Sequence, residues 1–222
     1  WNAQMDADAA LMAGSIEGAI TDNMRMDKMK SRGIGLEMLG TTNGYWQLIA
    51  NHKARIKRVD QLGDKMVAMT RFSATDYLTN RTLDTVKTRA QVFRVQFNNV
   101  LIRLDMLLNN EIDALWLPEP QATKARILGN PMLRDSRDFK VALGVLALRT
   151  AGVSDAWRKA QLAAFVKGYN RACDSLNQRG LQSYADVIAR QCKADKATLQ
   201  ALPHIAPPRQ QDISVAAHAF KD

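Results

Sequence analysis

The segment Arg71-Phe72-Ser73-Ala74-Thr75 has the make-up of an anion site. It follows an apolar stretch, Met66 to Met69, that reads as a strand, and it precedes a helical stretch from about Thr75 to Val86. A strand-to-helix turn gathers backbone N–H groups and the positive end of a helix dipole at one point. The Ser73 and Thr75 hydroxyls add donors, and the Arg71 guanidinium adds a planar fork suited to carboxylate, sulfonate or phosphate. The same residues also fit a plainer reading, in which Ser73 or Thr75 caps the helix and Arg71 pairs with a surface acid.

Asp22 and Glu119 form a second candidate set, because each ends one copy of a repeated pattern. Leu11 to Asp22 and Leu107 to Glu119 both run through a helix end, a tight turn, an Ile-acid-small entry, a short apolar run and a polar loop. Gly14 and Asn110 are the residue types that best tolerate the left-handed conformation closing a helix. The apolar runs are too short for helices, which predicts strands buried between helices. Each copy therefore delivers a carboxylate at the carboxyl end of a strand, where open α/β sheets bind ligands. An acid/base pair is conceivable; binding of a polar or cationic group, or the holding of loops, fits the pair better.

Other catalytic patterns are missing. His52, His204 and His218 sit in unrelated contexts without metal-ligand spacing. No nucleophile elbow, phosphate loop or dinucleotide glycine pattern occurs. The methionines at 24, 26 and 29 fit core filling. The expectation is a chain that is not an enzyme, with no catalytic residue, no metal and no cofactor.

The 222 residues suffice for one large or two small domains, and the 46% hydrophobic and 24% charged content is that of a globular protein. No apolar run reaches the length of a membrane span. The net charge of +9 raises the question of nucleic acid. Lysines and arginines are scattered among acids, and the one dense run, His52 to Arg58, lacks aromatic residues for base stacking. A nucleic-acid partner is not expected. Cys173 and Cys192 fall in helical stretches joined by a turn near Gly180; a disulfide and two buried thiols both fit that placement.

Helices are expected over Met5–Ala13, Asn23–Ser31 (with Asn23 as cap), Val100–Leu108 after Asn98-Asn99, and Gln121–Leu128. Strands are expected at 18–21, 36–39, 45–50, 66–69, 91–97 and 141–148. From Ala156 the pattern is helical, with stretches at 181–192 and 195–202 and a last short helix at 213–220. The alternation predicts an α/β architecture with doubly wound sheets and a helical C-terminal layer.

In sequence order, Leu-x-x-Gly-x-Ile-Glu-Gly-Ala at 11–19, the Thr41-to-Tyr45 crossing, Asp60 to Lys65, Arg-x-Ser-x-x-Asp-Tyr-Leu at 71–78, and Ile-Asp-Ala…Pro-Glu-Pro at 112–120 resemble the type 2 periplasmic solute-binding proteins of ABC importers. The branch most resembled is the nitrate, sulfonate, taurine and thiamine-precursor group. The resemblance implies a two-lobed fold, with 1–44 and 146–222 as first lobe and 45–145 as second. It further implies an interlobe cleft that captures a small anionic or zwitterionic organic solute and closes by hinge motion near Thr41–Tyr45 and Val141–Leu148. The ligand residues it implies are Trp1, Asn2, Thr21, Asp22, Thr42, Asn43, Tyr45, Arg71, Ser73, Ala74, Thr75 and Glu119. The implied partners are the small-molecule solute and an ABC permease, and the implied state is a monomer, periplasmic or otherwise extracytoplasmic, with a lipid anchor as one means of tethering. Family members begin with a strand-helix-strand unit before the position of Trp1. Its absence predicts about 60 to 90 further residues upstream and a first strand, 18–21, without a neighbour. Two alternatives share the fold: an enzyme of pyrimidine cofactor-precursor synthesis using Asp22 or Glu119, and the effector domain of a transcription regulator.

Overall fold

The computed structural model describes residues 3–151 and 155–210. In chain order its helices are α1 (Gln4–Ala13), α2 (Asn23–Ser31), α3 (Ala74–Asp84), α4 (Val100–Leu108), α5 (Gln121–Ile127), α6 (Ala156–Arg179), α7 (Ala185–Cys192) and α8 (Lys196–Gln200). The strands are β1 (Gly18–Asp22), β2 (Leu36–Thr41), β3 (Trp46–Ala50), β4 (Met66–Met69), β5 (Phe93–Gln96), β6 (Ala114–Pro118), β7 (Met132–Asp135) and β8 (Gly144–Arg149). The architecture is α/β with two sheets. The expected final helix at 213–220, Trp1, Asn2 and His218 lie outside the described residues.

The chain forms two compact units. One is built on Gly44–Val141 and Ala185–Pro203, the other on Asp6–Asn43, Ala142–Tyr184 and the segment from His204. Residues 185–203, expected with the first lobe, thus group with Gly44–Val141. Lys124 pairs with Asp195, the Gln121 side chain donates to the Cys192 carbonyl at 3.2 Å, and Leu199 is buried.

The unit containing β1 has a three-stranded antiparallel sheet, ordered β1-β8-β2. β8 is covered on both faces. Val145 and Ala147 join Leu11, Met26, Met29 and Leu36 on one side, while Leu146 and Leu148 join Leu39 and Val166 on the other. That double burial explains the unbroken apolar run in its sequence. β1 departs from expectation. It has β8 as a neighbour, in the register Gly18↔Leu148, and it is an edge strand whose Ile20 is 55% exposed. The two copies of the repeated pattern share their turns, with Gly14 and Asn110 both at positive φ, 76° and 62°, but not their burial.

The other unit carries a five-stranded sheet, β5-β4-β6-β3-β7. β4 pairs in parallel with β5 and β6, whereas β3 runs antiparallel to β6 and β7. β6 is the buried centre: Ala114, Leu115, Trp116 and Leu117 have no exposed surface. The Trp116 indole would be costly there without a partner, and it donates to Thr79 Oγ1 at 3.0 Å. Leu104 and Leu107 of α4 pack on this core, and Asn99 caps α4 through the Leu101 and Ile102 amides. β7 was not expected; Met132–Asp135 offers only four residues with two charges and shows little alternation.

Cys173 and Cys192 are free thiols, and they fall in different units. Cys173 donates to the Pro208 carbonyl at 3.5 Å, and burial raises both thiol pKa values.

Candidate functional site

In the five-stranded sheet, parallel pairing of β4 with β6 brings the loops after Met69 and Pro118 to one edge. Antiparallel pairing adds Tyr45, just before Trp46↔Pro118, and the loop after Asp135, which sits opposite Gln47. This is the carboxyl edge of the parallel strands, where α/β sheets place ligand-binding loops.

The loop after β4 is built by its own hydroxyls. Ser73 caps α3 by accepting from the Thr75 amide at 3.2 Å and donates to the Thr70 carbonyl at 2.7 Å. Thr75 Oγ1 accepts from the Thr70 amide at 2.9 Å. Both hydroxyls are therefore buried and spent on the turn. The Arg71 and Ala74 amides have no acceptor among the described residues. Phe72 takes a left-handed φ of 59°, unusual for an aromatic, held by its amide's bond to Asp76 at 2.9 Å. Arg71 is exposed and forms no ion pair among the described residues. Ser73 caps the helix, as the plainer reading expects, whereas the surface acid that reading gives Arg71 is not found among the described residues.

Glu119 differs sharply. Its side chain is 7% exposed. Oε1 accepts from the Tyr45 hydroxyl at 3.0 Å and from Arg126 at 3.1 Å; Oε2 accepts from the Thr123 amide at 2.9 Å. The carboxylate thus serves the first turn of α5 and anchors Tyr45. Burial, with the Glu119 charge next in effect, raises the Tyr45 phenol above its ordinary value. The Arg137 guanidinium lies 4.0 Å over the Tyr45 ring and forks onto Asp135. Burial alone would raise the Asp135 carboxyl, but bonds from Arg137 and Gln47 hold it below the usual range.

Among residues expected at the site, the structure brings Tyr45 and Glu119 into contact and gathers Arg71, Ser73, Ala74 and Thr75 in one turn. Thr21 and Asp22, in the other unit, are buried and internally engaged. Thr21 bonds to Asp8 at 3.3 Å; Asp22 caps α2 through the Arg25 amide at 3.0 Å and meets the Arg25 guanidinium. Asp22, not Asn23, is therefore the cap. Asn23 instead donates its side chain to the Ala142 carbonyl at 2.8 Å. Thr42 is half-buried, and Asn43 is exposed with its amide on the Ala206 carbonyl. Trp1 and Asn2 lie outside the described residues. Sequence reasoning missed Gln47, Arg126, Asp135 and Arg137. The Asp135-x-Arg137 spacing and the two-turn separation of Glu119 from Arg126 were the available signals. Among the described residues no three His, Cys, Asp or Glu side chains gather as a metal site.

No protein-family model matches the chain, and no curated protein matches its sequence. Solved structures do resemble it. The alkanesulfonate-binding protein SsuA from Xanthomonas axonopodis pv. citri, bound to MOPS, is 16% identical with a TM-score of 0.76, covering 98% of this chain and 77% of that one. The ligand-binding component of an ABC-type import system from Staphylococcus aureus, with zinc bound, is 19% identical with a TM-score of 0.75, covering 99% and 77%. The periplasmic aliphatic sulphonate-binding protein SsuA from Escherichia coli is 16% identical with a TM-score of 0.74, covering 98% and 76%. At these identities the likeness establishes the fold, which is that of a periplasmic binding protein.

Proposed function

We propose that this chain is the solute-binding component of an ABC importer in the nitrate, sulfonate, taurine and thiamine-precursor branch. It binds a small organic anion, or the anionic end of a zwitterion, and hands it to a permease without chemical turnover. The observation that carries this reading is an exposed Arg71, without an ion pair among the described residues, in the same turn as the Arg71 and Ala74 amides, which have no acceptor among those residues, at the start of an 11-residue helix. A fork donor and a helix N-terminus in one turn together favour an oxyanion. The ordered sequence motifs and a fold shared with sulfonate binders support the same solute class.

Ser73, Ala74 and Thr75 shape the anion turn in this proposal, Tyr45 offers an aromatic wall at the same sheet edge, and Thr42 and Asn43 act in the other unit. Asp22 and Glu119 hold loops; both carboxylate oxygens of Glu119 already accept internal bonds, and its side chain is buried. The same burial and pairing disfavour an acid/base role, because a proton carrier needs a free approach to its substrate. No helix among the described residues is long and apolar enough to cross a membrane. An extracytoplasmic monomer acting beside a membrane permease belongs to the proposal.

Calorimetric titration with ethanesulfonate and with taurine tests it. Saturable binding of one of them, with the compound recovered unchanged, is the expected result. Binding of none, or turnover of the bound compound, would overturn the reading.

A further inference from the structure

The segment from Ala206 to Gln210 lies along one face of α6 in the β1-containing unit, and every residue of it is held. Asn177 donates to the Pro207 carbonyl at 3.2 Å, Cys173 to the Pro208 carbonyl at 3.5 Å, and Arg209 pairs with Asp174 at 3.0 Å. Asn170 and Gln210 exchange two bonds: the Gln210 amide donates to Asn170 Oδ1 at 2.7 Å, and Asn170 Nδ2 donates to the Gln210 carbonyl at 3.0 Å. The α6 partners 170, 173, 174 and 177 follow the spacing of one helix face. Asn43 completes the set by donating to the Ala206 carbonyl.

Gln210 reaches from this strap onto β2. It is 5% exposed, and its Nε2 donates to the Thr41 carbonyl at 3.1 Å. Its Oε1 occupies the space that a side chain at Gly40 would need; a Cβ there would stand 1.9 Å away. The contact falls where β2 is weakest, since its register against β8 shifts between Met38 and Gly40. Beyond that shift Gly40 pairs with Leu146 and Thr41 with Val145, and Thr42 N–H donates to the Gly144 carbonyl at 2.8 Å.

We propose that Gln210 is a positioning residue for Thr41–Asn43. Wedged between α6 and the bulge of β2, it fixes the segment to which the functional reading assigns Thr42 and Asn43, and the ligand role of this clamp rests on that reading. The Thr41 carbonyl is held by a side-chain donor, Gly40 leaves room for the wedge, and Asn43 is tied to the same strap. A mobile Thr42–Asn43 would have to be ordered each time solute binds, which lowers affinity.

The test is amide hydrogen exchange of the whole chain, read at Thr42 and Asn43, in Gln210→Ala and Gly40→Ala. Each variant should speed Thr42 exchange roughly three- to tenfold, the worth of one ordinary hydrogen bond. Arg209→Ala loosens the same strap at an exposed ion pair without touching β2, and it should leave Thr42 unchanged. Gln210→Glu adds a readout that loose packing would not move. When ionised it offers the Thr41 carbonyl only acceptors, and when protonated it regains a donor, so Thr42 protection should return as pH falls through the carboxyl range. Unchanged Thr42 exchange in both Gln210→Ala and Gly40→Ala overturns the clamp, as does an equal effect from Arg209→Ala. Ethanesulfonate affinity is measured alongside. Faster exchange with wild-type affinity overturns the positioning role, while no ethanesulfonate binding by the wild type counts against the functional reading and leaves the exchange result to decide the clamp.

Discussion

The loops after β4 and β6 leave the same edge of one sheet, and each opens a helix, but they treat charge in opposite ways. After β6, Glu119 is buried and takes bonds from Tyr45, Thr123 and Arg126, groups up to 74 positions away. After β4, the hydroxyls of Ser73 and Thr75 close the turn locally and leave Arg71 in solvent. A polar group whose partners are all within the protein is a structural post. An exposed guanidinium with no ion pair among the described residues keeps its hydrogen-bonding capacity. The difference separates a buried, internally bonded carboxylate from an exposed guanidinium at one sheet edge.

The largest effect should come from removing the post. Glu119→Ala leaves the Tyr45 hydroxyl and the Arg126 guanidinium without their acceptor. Because Arg126 is a third exposed, water recovers part of the loss, and a destabilisation of about 2–3 kcal/mol is expected from urea unfolding. A change below about 0.5 kcal/mol, the range of ordinary surface substitutions, would dissolve the contrast.

Arg71→Ala should do the reverse. Stability should hold within about 0.5 kcal/mol, whereas the dissociation constant for a bound sulfonate should rise roughly ten- to a hundredfold, the value of a charge-assisted hydrogen bond. Wild-type affinity in calorimetric titration would remove Arg71 from the site.

Tyr45→Phe sharpens the comparison by deleting one donor to Glu119 while keeping the ring under Arg137; about 1 kcal/mol of stability should be lost. The raised phenol has a pH consequence. A tyrosine held neutral in the folded state contributes stability that is present below its unfolded pKa of about 10 and is lost as pH rises beyond it. The alkaline stability of the wild type should therefore fall more steeply than that of Tyr45→Phe. Equal slopes would mean that Tyr45 ionises as freely folded as unfolded.

Asp195, paired with Lys124 and nearly half exposed, supplies the small end of the scale. Bonds from Lys124 and the Thr198 amide lower its pKa to about 2. Its contribution is then present above its unfolded value and fades as pH falls from about 4 toward 2. Solvent screening limits it to below about 1 kcal/mol. Urea midpoints of the wild type and Asp195→Asn should converge as pH drops through that window; a gap constant with pH would place the effect elsewhere.

Much of this was legible in the chain. The spans of α2 and α4 and of β4 follow from local signals, and the left-handed turns at Gly14 and Asn110 follow from residue type. The turn at Arg71–Thr75 was readable because the bonds of Ser73 and Thr75 that shape it reach no further than Thr70. Asp22 and Glu119 were picked out by position, but their roles were not readable. Whether a carboxylate is free depends on Arg25, Tyr45 and Arg126, which no local pattern ties to it. β1 looked like β6 for the same reason: a short apolar run carries no mark of which neighbours will cover it.

The sequence by itself determined the spans of α2, α4 and β4, the left-handed turns at Gly14 and Asn110, and the strand-to-helix turn after β4. Those outcomes depend on backbone preference and on bonds that span only a few residues. Only the tertiary structure decided that β1 is an edge strand beside β8, that 185–203 groups with Gly44–Val141, that Glu119 is spent, and that Gln210 reaches Thr41 across 169 positions of chain. The physical reason is saturation. A polar group's availability is set by the sum of its partners, and most of those partners arrive only when the chain has folded.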